Sequence, residues 1–225
     1  MAGIVQIKKD SLTKKGLVKP DNWLEELLED YLKGTMTPPR AGVFHPSTLS
    51  NKCDRAVWLI YHGKMPSSVL EAVTQRIFQN GNYLEKRVET WFSNLRILMG
   101  REIPVKFDNP PMSGRIDFLI RHELYGIMPI ELKSINTSGF SKLTKPKPEH
   151  EMQLQMYLNM GNYERGTVLY ENKNDQKIKS FIVEKNYKEW DTILNRCFEI
   201  QNMLQAPIKC SGNTWCPCKK VEDAS

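Results

Sequence analysis

The sequence predicts an α/β protein in which helices flank a mixed central β-sheet. Short apolar and β-branched runs bounded by turn residues predict strands, most clearly SGRIDFLI (113–120) and IMPIELKS (127–134). Further strands are predicted at 101–107, 166–171 and 178–184. Longer stretches with helical spacing of apolar residues alternate with these strands, at 69–99, 149–161 and 187–204.

The N-terminal part is predicted to consist of a polar, Lys-rich arm followed by one amphipathic helix. We expect residues 1–20 to form a flexible arm and 21–225 a single domain. Asp21 has the side chain of a helix N-cap, and Gly34 is a typical helix end. The apolar residues between them fall on one face, which predicts a packing helix: Trp23, Leu24, Leu27, Leu28, Tyr31 and Leu32.

Two more helices are predicted before the charged strands. One starts at Ser47 and carries Cys53 in its early turns. The other spans 69–99, and Asn80-Gly81-Asn82 marks a point where it could break. Near the C-terminus, Cys197 lies among aliphatic residues of the last predicted helix, and we interpret it as a core residue.

The two strands of 113–134 carry charges that buried strands ordinarily lack. Alternation along a strand puts Glu131 and Lys133 on one face and Leu132 on the other, with Asp117 on the neighbouring strand. Carboxylates with a backbone carbonyl, here that of Leu132, suit Mg²⁺, and a nearby amine suits phosphodiester chemistry. The alternative is a structural ion pair on an exposed strand.

Composition agrees with one ordinary globular domain. The chain has 225 residues, of which 40% are hydrophobic and 26% charged. It contains no apolar run of membrane-span length and no signal-peptide pattern, so a cytoplasmic protein is expected, with no membrane partner. The net charge of +6 fits a polyanionic partner.

The cysteines predict a metal site. Without a secretion signal, five cysteines are an unusual disulfide set, and three of them, Cys210, Cys216 and Cys218, lie within nine residues of a Pro- and Gly-containing tail. Three thiolates need a fourth ligand, and Cys53 is the unassigned one. Such a set holds Zn²⁺ or a [4Fe–4S] cluster, and the spacing does not decide between them.

A Ser-, Lys- and Pro-rich loop follows the charged strands. Its lysines Lys142, Lys145 and Lys147 are candidate contacts to substrate phosphates, although an ordinary solvated loop explains them equally well. Glu102 is a reserve carboxylate on the preceding strand. The helix after the loop carries Gln153 and Tyr157 on one face, since they are four residues apart.

Together these motifs resemble the PD-(D/E)xK nuclease superfamily. Asp117 followed by Glu131-Leu132-Lys133 resembles its signature, and Gln153 with Tyr157 resembles the motif of the RecB-like branch, which includes iron–sulfur nucleases of CRISPR adaptation and phage exonucleases. The segment from Ser47 to Arg55 resembles the first cysteine segment of the iron–sulfur members. Glu85, after Gly81, stands where the branch has a His or Glu ligand.

The resemblance implies a restriction-endonuclease-like core in which residues 44–65 and 206–218 form a metal-stapled region. It implies an Mg²⁺- or Mn²⁺-dependent DNA nuclease, acting as an exonuclease on DNA ends or single strands. Asp117, Glu131, Leu132 and Glu85 would hold the metal, Lys133 would assist the attacking water, and Gln153 and Tyr157 would orient the substrate. It favours a [4Fe–4S] cluster at the four cysteines, with Zn²⁺ as the alternative.

Two other functions remain open at this point. One is a non-catalytic DNA-binding or assembly module on the nuclease fold, and the other is a zinc-stapled interaction protein. The resemblance also implies a phage or prokaryotic setting with a recombination or repair partner. Oligomers occur among related phage exonucleases, yet no stretch of this sequence identifies a subunit interface.

Overall fold

A computed structural model describes residues 22–50, 52–211 and 216–221. The predicted arm and the predicted cap Asp21 lie outside this part of the chain. The structure contains these helices and strands in chain order: α1 Trp23–Leu32, β1 Gly34–Met36, α2 Pro46–Leu49, α3 Asp54–Tyr61, β2 Ser68–Leu70, α4 Ala72–Asn94, β3 Leu98–Phe107, β4 Met112–His122, β5 Gly126–Ile135, α5 Thr137–Ser141, α6 Pro148–Met160, β6 Arg165–Asn172, β7 Ile178–Glu184 and α7 Tyr187–Asn202, before a 3₁₀ turn Pro217–Lys220.

The main sheet is five-stranded and mixed, as the sequence predicts. Its strand order is β3-β4-β5-β6-β7. Only β5 and β6 run parallel, because α5 and α6 form the crossover between them, while the other neighbours are antiparallel hairpins or meanders. The α/β class and the flanking helices are therefore confirmed.

Helices cover both faces of this sheet. On one face α4 packs Leu84 and Val88 against Phe118 and other strand residues. On the opposite face α6 contributes Leu154 and Leu158 to a second core cluster. The strands lie between two apolar layers, which explains why β5 and β6 are almost continuously apolar except where they carry the charged residues.

A third core cluster lies beside the sheet and joins the segment from Phe44 to α3 with α7 and the C-terminal cysteines. It contains residues of α3 and α7, among them Trp58 and the fully buried Cys197, together with Cys216 and Cys218. The prediction that Cys197 is a core residue is confirmed. The Trp58 indole donates to the Met203 carbonyl at 2.9 Å, which fastens α3 to the end of α7.

Two predicted helices have different boundaries in the structure. The segment from Ser47 forms two short helices, and Cys53 is the N-cap of α3 instead of an early-turn residue. Its sulfur accepts from the Ala56 N–H at 3.4 Å. The helix predicted at 69–99 runs unbroken over Ala72–Asn94, with Gly81 inside it, while Ser68–Leu70 and Leu98 onward are strands. A single helical glycine weakens a helix by only about 1 kcal/mol, which the neighbouring turns offset.

Helix α1 contacts α4 but does not pack as predicted. Five of the six residues of its expected apolar face are exposed, Leu32 is partly buried, and none of its residues is fully buried. The contact includes an ion pair between Glu29 of α1 and Arg76 of α4 at 2.7 Å. Asn22 occupies the N-cap position, with no side-chain capping bond to a backbone N–H. None of the described helices combines the length and apolar character that a membrane span requires.

Candidate active site and cysteine site

The charged residues meet where β4 and β5 separate. The two strands pair from His122↔Gly126 to Phe118↔Ile130, and beyond that point β5 continues beside β6. Asp117 and Glu131 are the next residues on each side of this fork. The Leu132 backbone N–H donates to the Asp117 Oδ2 at 2.8 Å, so the carboxylate replaces a missing sheet partner. The fork therefore fixes two acids side by side on rigid backbone.

Glu131 and Lys133 project from one face of β5, and Leu132 packs on the opposite face with α4. The Lys133 ammonium lies 2.5 Å from the Glu131 Oε1. Glu131 is only 1% exposed, its Oε1 is paired with the Lys133 ammonium, and its Oε2 has no hydrogen-bond partner in the described chain. The ammonium offsets the charge at one oxygen of Glu131, which leaves the lone pairs of the other oxygen for a further cation.

The pKa values of Asp117 and Glu131 show that the site carries more negative charge than its ammonium group balances. Burial and the neighbouring Glu131 raise the pKa of Asp117 well above its usual range, although the Leu132 N–H and Lys133 oppose this. Burial also raises the pKa of Glu131, against the pull of Lys133. Burial would lower the pKa of Lys133, but Glu131 and Asp117 outweigh it and raise that pKa. A bound cation would relieve this excess of negative charge.

Helix α6 supplies the second wall of the site. Lys133 donates to the Gln153 Oε1 at 3.2 Å, and the Gln153 amide donates to the Tyr157 hydroxyl at 3.1 Å. Gln153 and Tyr157 thus share a face as the sequence predicts. Gln155 points away and holds the β7–α7 connection, accepting from the Asn186 N–H at 2.9 Å.

A cavity of about 570 Å³ opens onto these groups. Asp117, Glu131, Lys133, Gln153 and Tyr157 line it together with Glu85 and Leu132. Seven residues that were predicted from separate stretches of sequence therefore face one space. A cavity of this size, with converging polar groups, is typical of a ligand site.

Glu85 enters the cavity from α4, but it has a cationic partner. Arg101 of β3 lies 3.4 Å from the Glu85 carboxylate and 3.0 Å from that of Glu89. Glu85 also adds to the negative potential that raises the pKa values of Asp117 and Glu131. It is positioned to complete an acidic set, with Arg101 as the counter-charge.

The predicted lysines and the reserve carboxylate lie elsewhere. Lys142 and Lys145 are exposed beyond α5, Lys147 is the N-cap of α6, and none of the three lines the cavity. Glu102 is also outside the cavity and faces Arg115 at 3.4 Å. The structure gives these four residues no part in the walls of the site.

His45 and Gly114 are among the cavity residues that sequence reasoning missed. His45 lines the cavity, and since a carbonyl can only accept, its Nδ1 donates to the Ser113 carbonyl at 3.1 Å. Gly114 of β4 is needed because a Cβ there would approach Tyr157 to 2.7 Å and Pro46 to 2.9 Å. A His-Pro-Ser start and a glycine before a charged strand were the only sequence signals for them.

A second network supports α6 near Lys133. The fully buried Tyr170 of β6 pairs in register with Lys133. Its hydroxyl accepts from the Lys147 N–H at 2.9 Å and contacts the His150 Nδ1 at 2.8 Å. Burial and the nearby Lys133 lower the pKa of His150 to about 4, so the imidazole is neutral at pH 7.

A separate cavity of about 370 Å³ lies between α4 and the ends of β5 and β6. Arg87 and Glu171 form an ion pair at 2.5 Å across it, and Arg87 also donates to Gln176. Because Glu171 is buried and Arg87 neutralises its charge, we interpret the pair as a structural link between α4 and β6.

The structure brings the four predicted cysteine ligands together. The sulfurs of Cys53, Cys210, Cys216 and Cys218 all lie within 4.8 Å of one another. Cys53 is 3.4 Å from Cys216, and Cys210 is 3.6 Å from Cys218. These spacings suit ligands of one tetrahedral ion, since a metal–sulfur distance of about 2.3 Å puts the sulfurs about 3.8 Å apart. A cubane interposes four irons and would require a wider set.

The thiols of the cysteine site influence one another's ionisation. Burial opposes ionisation of Cys216, but hydrogen bonds from Cys218, Cys53 and Cys210 outweigh it and lower its pKa to about 7. Burial raises the pKa of Cys53 to about 12. One thiolate therefore forms readily and the next does not, and a cation would remove that restriction.

Arginines fasten the segments around the cysteines. Arg196 of α7 donates to the Asp54 carboxylate at 2.8 Å, the Leu49 carbonyl at 2.6 Å and the Lys52 carbonyl at 2.9 Å. Arg55 donates to the Pro207 carbonyl at 2.8 Å. Sequence reasoning did not single out Arg196, because its partners lie more than 140 residues away.

Solved structures with a similar fold are known, although no protein-family profile matches the chain and no curated protein does. The structure of SSO0001 aligns with a TM-score of 0.53 at 19% identity, over 82% of this chain and 85% of that one. An alkaline exonuclease, LHK-Exo from Laribacter hongkongensis, aligns with a TM-score of 0.51 at 18% identity, over 72% of this chain and 87% of that one. The chain therefore shares its fold with SSO0001 and with an alkaline exonuclease.

Proposed function

We propose that the protein is a divalent-metal-dependent DNA nuclease. The observation that carries the proposal is the fork at β4 and β5, where Asp117, Glu131 and Lys133 converge in one cavity with an excess of negative charge. A purely structural ion pair would not leave the second carboxylate oxygen of a residue as buried as Glu131 without a partner. The fold shared with an alkaline exonuclease supports the same reaction class.

The donor set fits Mg²⁺ or Mn²⁺. Asp117, Glu131, Glu85 and the Leu132 carbonyl supply hard oxygen ligands, which these cations prefer. When bound, the cation would supply charge stabilisation at the phosphate and would favour ionisation of water. Lys133 then serves as a donor to the phosphate or to the attacking water, and Glu131 and Gln153 hold its ammonium in place.

Exonuclease action and a preference for DNA ends or single strands are finer proposals. They rest on the resemblance of the motifs and on the fold that the chain shares with the alkaline exonuclease LHK-Exo. The basic net charge of +6 favours a polyanionic substrate, while the lysines at 142, 145 and 147 are proposed only as contacts to substrate beyond the cavity.

Cleavage of DNA labelled at its 5′ or 3′ end tests the proposal. We expect the native protein to cut in Mg²⁺ or Mn²⁺ and to be inert in a chelator, and Lys133→Ala to lose roughly 10²–10⁴-fold in rate. Lys188→Ala is the matched control, since it removes an exposed lysine of α7 that lies outside the cavity and outside the proposed substrate contacts. If the metal-replete native protein leaves all single- and double-stranded substrates whole, a DNA-binding or assembly module takes the place of the enzyme.

At the cysteines we propose a structural metal that joins the first helices to the C-terminal segment. The motif resemblance favours a [4Fe–4S] cluster, whereas the sulfur spacing favours one tetrahedral ion such as Zn²⁺. Metal analysis and the visible absorption spectrum of protein purified without air decide between them. Four iron atoms per chain support the cluster, and one zinc with no iron supports the single ion.

A further inference from the structure

We propose that the N-terminal lobe, meaning α1, β1, β2 and residues 72–83 of α4, is the interface through which two copies of this chain associate. The inference is independent of the nuclease proposal. It begins from the amphipathic pattern of α1, which predicts a packed apolar face. In the structure that face is turned to solvent.

The orientation of α1 shows this directly. The partly buried residues of α1 are Leu32 and Glu29, and Glu29 pairs with Arg76 of α4, so the side of the helix that carries Glu29 faces the rest of the chain. The opposite side presents five large apolar side chains that are 45% to 63% exposed: Trp23, Leu24, Leu27, Leu28 and Tyr31. A helix that exposes its apolar stripe is stabilised only when something covers the stripe.

The rest of the lobe has the same property. Among residues 22–36 and 68–83, only Ala72 is buried. The strands β1 and β2 are three residues each, and a two-stranded ribbon of that length is marginal on its own. The lobe also exposes six further large apolar side chains: Met36, Val69, Val73, Ile77, Phe78 and Tyr83.

The exposed area suits one side of a stable dimer. At about half exposure, eleven side chains of this size present on the order of 1,000 Å², against the roughly 800 Å² per partner of a standard interface. Two lobes facing each other would cover this area with matching apolar surface, and a two-fold axis makes the patch self-complementary.

Charge argues against nucleic acid as the occupant. Helix α1 carries four carboxylates, Glu25, Glu26, Glu29 and Asp30. Such a surface repels a polyanion although the whole chain is basic. The other exposed large apolar residues of the described chain are dispersed over the end of α4, the start of β3, the β4–β5 turn, β7, the start of α7 and residues 204–208. The lobe instead groups eleven such residues in one part of the fold, which favours a second copy of the lobe as its partner.

The mass of the full-length, metal-replete protein in solution tests the proposal, by light scattering after gel filtration and by sedimentation equilibrium. We expect twice 26.1 kDa at micromolar concentration. The double variant Leu24→Lys/Leu28→Lys should dissociate at least about tenfold more readily, because it places charges in the apolar stripe. Leu124→Lys, at an exposed leucine of the β4–β5 turn, is the matched control and should remain dimeric.

Circular dichroism and the metal content of the cysteine site check that the double variant stays folded. A native mass of 26.1 kDa at every concentration overturns the proposal and points to a different protein, or another part of this chain, as the cover of the lobe. A double variant that dimerises as tightly as Leu124→Lys also overturns it, because the interface then lies elsewhere. Neither outcome bears on DNA cleavage, which is measured separately.

Discussion

Replacing Asp117 by asparagine should stabilise the metal-free protein while it abolishes metal binding. Asparagine has the same shape, and its carbonyl oxygen can still accept from the Leu132 N–H. What it removes is a carboxylate whose ionised form is disfavoured by burial and by Glu131, which together raise the pKa of Asp117. Relief of such strain at a functional site typically amounts to about 1–2 kcal/mol.

The pH dependence of this gain follows from the sign of the pKa shift. Below the ordinary pKa of 3.8, Asp117 is protonated in both the folded and unfolded states, so the native chain and the variant should have similar stability. As pH rises towards the elevated pKa of the folded state, the unfolded chain releases its proton more readily. The native chain therefore loses stability relative to Asp117→Asn, and the difference is fully developed above the elevated pKa.

Thermal denaturation in a chelator measures the effect. At neutral pH the gain corresponds to about 2–4 °C in Tm per kcal/mol for a chain of this size. With Mn²⁺ in excess the order should reverse, since a cation at 100 times its Kd stabilises only the native chain by about 2.7 kcal/mol. Glu102→Gln, outside the cavity, should change stability by less than about 0.5 kcal/mol. A variant less stable than the native protein in chelator at neutral pH would refute the reasoning.

Three further outcomes are expected. Arg196→Met should lower the free energy of unfolding by about 2–4 kcal/mol, measured in urea, because it breaks three hydrogen bonds. Arg165→Met is the control and should be nearly neutral, because the ion pair of Arg165 with Glu184 lies at the surface. Equal losses in the two variants would contradict this. Gly114→Ala should lower the free energy of unfolding by about 1–3 kcal/mol and slow cleavage, because the added Cβ displaces Tyr157. Unchanged kinetics and an unchanged Tm would show that the side chains around Gly114 move aside without cost. Cys210→Ser should reduce bound metal and lower Tm, and full metal content measured by mass spectrometry would remove Cys210 from the ligand set.

Short-range patterns predicted most of the fold because they record which face of each element is buried. The alternation around Glu131 and Lys133 correctly put Leu132 on the opposite face, and the four-residue spacing of Gln153 and Tyr157 put both on one face of α6. The long helix was correct in type, but its ends were misplaced. At Leu98, a helical apolar pattern and a strand pattern are indistinguishable over so few residues.

The cysteine site shows where residue types alone were informative. Three cysteines in the tail required a fourth, and the fold brings Cys53 to them. The helix break before Cys53 was not predicted, and neither was the part played by Arg196, which binds carbonyls of that break. An arginine that donates to distant backbone carbonyls follows no periodic pattern, so the sequence does not predict its role.

The sequence by itself determined which chemistry the chain carries: two acids and an amine on adjacent strands, an amide and a phenol one helical turn apart, and four thiols. These follow from local spacing, which strands and helices convert into shared faces. Only the tertiary structure decided which groups meet. It placed His45 in the cavity, left the three loop lysines outside it, paired Glu85 with Arg101, and turned the apolar face of α1 to solvent. Those relations depend on contacts between residues far apart in the chain, where periodicity carries no information.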